Sequence, residues 1–297
     1  MCKLTASSNS SSFASAEESK VPVSGFVRHR RWVEIGLVVL SLTYGVLYHL
    51  DPPVEVNPLL CASHVLDANG GGCRRPDLIA FNAVSLLSMV VMSSIGIYNW
   101  HFTSKMKQLA SKQHATPEDR LFGYLPASNY LNVVIFCHQF WDFGVSLTIP
   151  EHVDGIFLMH HLLALLTAYC SLEYQMVSYY SIFYGGCSEF SSIFLIFLDK
   201  NQVIPIQPGS MRETWVMICQ VLFFFTFSYY RIYGWIANSV PLWRDCEHVI
   251  RSGSIETHRP GKAYFLRVFQ GMDFTLGALQ CFWYYKILTT IASMVSG

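Results

Sequence analysis

Long runs of apolar residues separated by short polar joints dominate the chain, near 32–50, 78–100, 131–150, 153–172, 176–198, 213–238 and 264–292. Most are around twenty residues or longer, the length a helix needs to cross about 30 Å of hydrocarbon at about 1.5 Å per residue. The pattern predicts an all-α fold, a polytopic transmembrane helical bundle of about seven spans. Four segments are expected: a Ser-rich cytosolic tail without regular structure over 1–31, a first span over 32–50, a polar loop over 51–77, and six spans forming one domain over 78–292. Asp51-Pro52-Pro53 closes the first span, because proline cannot continue a helix. The joints Pro150 to His152 and Glu173 to Gln175 are so short that the spans they connect must be antiparallel neighbours.

Composition sharpens this picture. Of 297 residues, 52% are apolar and 13% charged, against about 25% charged in a soluble domain. Twenty Lys and Arg balance twenty Asp and Glu, so no basic surplus exists to meet a run of phosphates, and a nucleic-acid partner is excluded. With the tail inside, the inner segments hold thirteen Lys and Arg and the outer ones four: Arg74, Arg75, Lys200 and Arg212. That asymmetry predicts a cytosolic N-terminus and a lumenal C-terminus. Asn9-Ser10-Ser11 is then an unused sequon. Cys61 and Cys73 form a bridge if their loop meets an oxidising lumen, and are otherwise free thiols.

The informative residues are those that hydrocarbon should exclude. A charge at mid-bilayer costs about 2.5–3.5 kcal/mol on an insertion scale, so each needs a partner or a cavity. The third span carries His138 and Asp142, four apart on one face, and the fourth carries Asp154, His160 and His161. Glu189 lies in the fifth, Arg231 in the sixth, and Arg267, Asp273 and Lys286 in the seventh. Pointed inward, these groups enclose a polar chamber suited to a lipid with a polar head and an apolar tail. Blander roles exist for most of them: interior hydrogen bonds for His138 and Asp142, snorkelling for Asp154, Arg267 and Lys286, an ion pair for Glu189 with Arg231. The pair His160-His161 is different, because two imidazoles about 100° apart cannot both face lipid cheaply. Neither has the i+3 or i+4 His companion of a helical metal site, and no metal is expected. The sequence has no GxSxG, HExxH, phosphate-loop or CxxC motif, which leaves histidine chemistry or binding alone.

These residues resemble the TLC domain family, which includes the ceramide synthases and smaller lipid-related members. The resemblance covers about 78–292. Asp154 followed by His160-His161 is similar to the family's acidic residue and His pair. Gly185-Gly186 through Glu189-Phe190-Ser191 is similar to its G…E-x-S segment, Tyr229-Tyr230-Arg231-Ile232 to its buried arginine, and Phe140-Trp141-Asp142 to its aromatic-Asp pair. Ceramide synthases carry a His-Asp-x-x-Asp pattern where this chain has Ser188, Glu189 and Ser192, and the chain lacks their homeobox-like insert. It looks nearer to the small members linked to phospholipid composition. The resemblance implies an endomembrane protein, as in the endoplasmic reticulum, of lipid metabolism or homeostasis. His160, His161 and Asp142 are expected to be catalytic if acyl-CoA is a co-substrate, with no other cofactor. His138, Glu189, Arg231 and Asp273 are expected to bind a sphingolipid or phospholipid. The alternatives are a non-catalytic lipid sensor, carrier or sorting receptor, and more remotely a seven-span receptor for a cytosolic partner.

Overall fold

The computed structural model describes residues 24–50, 74–111, 113–203 and 206–296, and every regular element among them is helical. In chain order these are α1 (Gly25–Leu50), α2 (Pro76–Ile97), α3 (Ser104–Ala110), α4 (Pro117–Phe122), α5 (Pro126–Ser146), α6 (Gly155–Tyr174), α7 (Ser178–Gly185), α8 (Phe190–Val203), α9 (Met211–Thr226), α10 (Trp235–Arg251), α11 (Ser254–His258) and α12 (Ala263–Ser296). π-helical turns extend α2 through Tyr98–Phe102 and join α9 to α10 through Phe227–Gly234. The sequon and the Cys61–Cys73 pair lie outside the described residues, as does all of the expected tail except its last eight positions.

Five stretches are long and apolar enough to cross a membrane: α1, α2 with its π turn, α6, α7 through Asp199, and α9 through α10. α5 and α12, at 21 and 34 residues, have the length but fall outside that set. The reason is composition, which for α5 follows from its position. α5 packs against α1, α2, α6 and α7 and so buries Ser128, Asn129, Asn132, His138, Gln139, Asp142 and Ser146, which a lipid-facing helix would not tolerate. The peripheral helices are the opposite case: the apolar windows of α1 and α9–α10 are only 6% and 17% buried, so their hydrophobic side chains form the outer rim.

Contacts between helix ends define two faces. At one, Ser24 bonds Glu173, Arg120 pairs with Asp245, and Arg259 donates to the carbonyls of Tyr174 and Gln175. At the other, Arg75 clasps Asp77 and Glu151. Among the described residues, seven helical passes thus alternate in direction between the faces: α1, α2, α5, α6, α7–α8, α9–α10 and α12.

Local chemistry sets the boundaries. Pro76 and Pro126 open α2 and α5, where a missing N–H costs nothing. Thr116 and Asp119 form a capping box on α4, and Ser210 caps α9. Gln175, at φ 50°, turns the chain out of α6 in the left-handed region.

Several expected bounds move. α1 begins at Gly25, so the stretch just before the first span is helical. The joint expected over 239–263 is largely helix, since α10 runs to Arg251 and α11 follows. The run 176–198 is broken, because a Cβ on Gly186 would lie 2.5 Å from the Gly96 Cα and one on Gly96 would meet Gly186 at 2.4 Å. Two bare backbones meet there, and the chain passes through a 3-10 turn, Cys187–Glu189, before α8 resumes.

Candidate functional site

The polar residues of α5 are spaced as a stripe. Ser128, Asn132, Gln139, Asp142 and Ser146 recur at helical intervals, and the stripe faces α6 and α7. Ser128 and Ser181 share a hydrogen bond of 2.6 Å, and Ser146 donates to Asp142 at 3.1 Å. Between these ends, His161 on α6 places Nδ1 2.8 Å from Gln139 Oε1 and 3.2 Å from Asp142 Oδ1. Both neighbours are acceptors, so Nδ1 carries the proton and donates. Nε2 is then the unprotonated nitrogen, and no hydrogen bond from a described residue ends on it.

His160 turns the other way, as the step of about 100° requires. Its ring lies 5.0 Å edge-on from Trp283 of α12 and 5.3 Å from the His161 ring. His138 is fully buried behind Asp142, 3.6 Å from its Oδ2, and neither ring nitrogen meets a hydrogen-bond partner among the described residues.

Beside this cluster lies an interior chamber of about 90 Å³, lined by residues of α2, α5, α6, α7, α10 and α12. Gln139, Glu189 and Asp273 reach its wall, whereas His138, Asp142, His160, His161 and Arg231 do not. Gln139 is therefore the link between chamber and imidazole: it lines one and holds the other.

Glu189 and Arg231 form an ion pair at 2.9 Å, with Arg231 7% and Glu189 15% exposed. Arg231 also donates to the Ser188 carbonyl at 3.1 Å, the hydroxyls of Ser191 and Ser192 at 2.9 and 2.7 Å, and Gln280 at 3.2 Å. The helix break supplies the Ser188 carbonyl and the wide π turn presents the arginine to it. These five acceptors engage four of the five guanidinium N–H donors, since the Ser188 carbonyl and the Ser191 hydroxyl share Nε–H, and they make the arginine a structural lock between the helix break and the π turn. Asp273 accepts from Ser239 and from Trp243 Nε1, both at 2.9 Å.

The three residues read as snorkelling stand apart from the cluster. Asp154 is the exposed, extended residue before α6, Arg267 pairs with Glu247, and Lys286 sits 4.6 Å over the Phe282 ring. Sequence reasoning missed Gln139, whose neutral amide raised no alarm; its place in the α5 stripe was the available signal. It also missed the buried lock of Arg120 on Asp245 (2.6 and 2.7 Å), which Tyr180 completes at 2.5 Å.

A bundle of antiparallel apolar helices with a buried polar centre is that of a multi-pass membrane protein. The family model of the TLC domain matches residues 80–289, well over half of the chain, and the chain belongs to that family, whose domain associates it with lipid biology. Neither the curated proteins nor the solved structures contain a match.

Proposed function

We propose that the protein binds an acyl lipid in the interior chamber and uses His161 to transfer an acyl group, in an endomembrane such as the endoplasmic reticulum. The observation supporting this is the His161 dyad: Asp142 and Gln139 fix the Nδ1 proton and leave Nε2 free. As general base, Nε2 takes the proton from an acceptor amine or hydroxyl as that atom attacks the thioester carbonyl of acyl-CoA. The carbon–sulfur bond breaks, the thiolate takes the proton from the imidazolium, and acylated acceptor and free thiol are the products. Gln139 couples the lipid to the base, and His160 with Trp283 closes the side toward α12.

One observation favours a second reading, a non-catalytic lipid carrier or sensor: neither imidazole reaches the chamber wall itself. Purified protein assayed for acyl transfer from acyl-CoA to sphingoid-base and lysophospholipid acceptors separates the two. Transfer by wild type, falling about a hundredfold or more in His161→Ala, supports catalysis at the scale usual for a lost general base. Wild type inactive on every acceptor, yet holding lipid that is never turned over, supports the carrier.

A further inference from the structure

The interior chamber is small. About 90 Å³ accepts the reacting end of a ligand, whereas even sites that bury most of a drug-sized molecule run to about 300–1,000 Å³. A second void of about 540 Å³ lies on the outer side of the bundle, between α10 and α12. It is lined mainly by apolar groups, among them Ile236, Val240, Phe274 and Ala278. The two voids share two wall residues, Trp235 and Asp273, so one indole and one carboxylate separate interior from exterior.

The two residues are held very differently. Asp273 is anchored by Ser239 and Trp243. Trp235 is 7% exposed, and its buried Nε1 is turned toward Asp273 without reaching full hydrogen-bond geometry. Beyond that weak contact, packing keeps the ring in place, against Tyr184 at a centroid distance of 4.7 Å and against Gly277, where a Cβ would stand 3.0 Å from Nε1. A buried N–H held this weakly lowers the cost of displacing the ring and leaves a donor for an incoming oxygen. Trp235 is also the first residue after the π-helical stretch, the kind of helix irregularity that accommodates rearrangement.

We propose that the α10/α12 groove is the lateral route by which a bilayer acyl lipid enters, that Trp235 is its movable partition, and that the indole N–H takes the lipid's ester or amide carbonyl. The lipid's tail stays in the groove and its reacting end passes into the chamber. The proposal rests on the reading of the chamber as an acyl-lipid site.

The test uses the full chain in nanodiscs of two phosphatidylcholines, one bearing a diazirine on an acyl chain close to its ester carbonyl, to report the chamber, and one bearing it at the chain terminus, to report the groove. Photolabel is mapped by mass spectrometry to the groove (Ile236–Val240, Phe274–Cys281) and to the chamber (Ala164–Ser171). Wild type should label both. Gly277→Leu, which wedges a side chain against the indole, should cut chamber labelling at least fivefold, and Trp235→Ala should raise it at least twofold with groove labelling retained. Should Gly277→Leu fail to fold, Gly277→Ala gives a smaller decrease and Trp235→Ala still decides. Chamber labelling that ignores both positions overturns the lateral route while leaving the chamber reading intact. Absence of chamber label in wild type overturns both.

Discussion

Arg231 offers the sharpest division between a structural and a lipid-binding role for the buried charges. Replacing it with Met removes a guanidinium that serves Glu189, Ser191, Ser192, Gln280 and the Ser188 carbonyl, and leaves the Glu189 carboxylate with the Ser192 hydroxyl at 2.7 Å. Breaking a buried pair from one side costs about 3–5 kcal/mol. At roughly 2–4 °C per kcal/mol for a domain of this order of size, the melting temperature in detergent should fall by roughly 6–20 °C. Glu189→Gln keeps an acceptor and most of the arginine's other partners, so its loss should be nearer about 1–1.5 kcal/mol. The double variant Arg231→Met with Glu189→Gln leaves no uncompensated charge and should be more stable than Arg231→Met alone. Thermal unfolding followed by size-exclusion recovery reads all three. A melting temperature for Arg231→Met within about 2 °C of wild type, with co-purified lipid lost, would refute the lock and return the arginine to the head group.

Three further outcomes are expected. Arg120→Ala leaves the buried Asp245 carboxylate to Tyr180 alone and should cost about 3 kcal/mol or more, with hydrogen exchange quickening over Pro117–Phe122; unchanged exchange there would contradict it. Gly186→Ala forces two backbones apart and should lower stability by about 1–3 kcal/mol or prevent recovery of folded protein, whereas Gly45→Ala, with open space around it, should be neutral in melting temperature. Hydrogen bonds from Arg75 hold the Glu151 carboxyl below its ordinary value of 4.5. Because the folded value is the depressed one, the clasp contributes stability above about pH 4.5 and loses it as pH falls further. Exchange at 150–154 should therefore rise on acidification in wild type and lack that step in Glu151→Gln.

What the amino-acid pattern revealed followed from cost. Leu- and Phe-rich runs must meet lipid, and His161, Asp142, Glu189 and Arg231 in such runs must meet partners, so both the bundle and its polar centre were readable. The partners themselves were less so. His161 and Asp142 lie on different helices, and nothing in their spacing says that a neutral Gln139 stands beside them on the chamber wall. Arg120 and Asp245 are 125 positions apart in what reads as loop and helix end, where charge is cheap and draws no attention. The break at Gly186 depends on a crossing with Gly96, a tertiary event that leaves only a pair of glycines in the local pattern. The partners of Arg231 were equally hidden: Ser188, Ser191 and Ser192 draw no attention in the sequence until the helix break and the π turn bring them to the guanidinium.

The first helix lies outside the segment matched to the family, yet it is fitted tightly to the bundle. A Cβ on Gly25 would collide with the Leu172 carbonyl at 1.9 Å, Gly36 sits against Cys137, whose thiol donates to the Val33 carbonyl, and Ser24 reaches Glu173 across 149 positions. During synthesis α1 can pack against α2 and α5 as they appear, but the contacts of its first residues with Leu172 and Glu173 must wait until α6 has been made. The start of α1 is thus fastened late, and it acts as a latch on helices that form behind it.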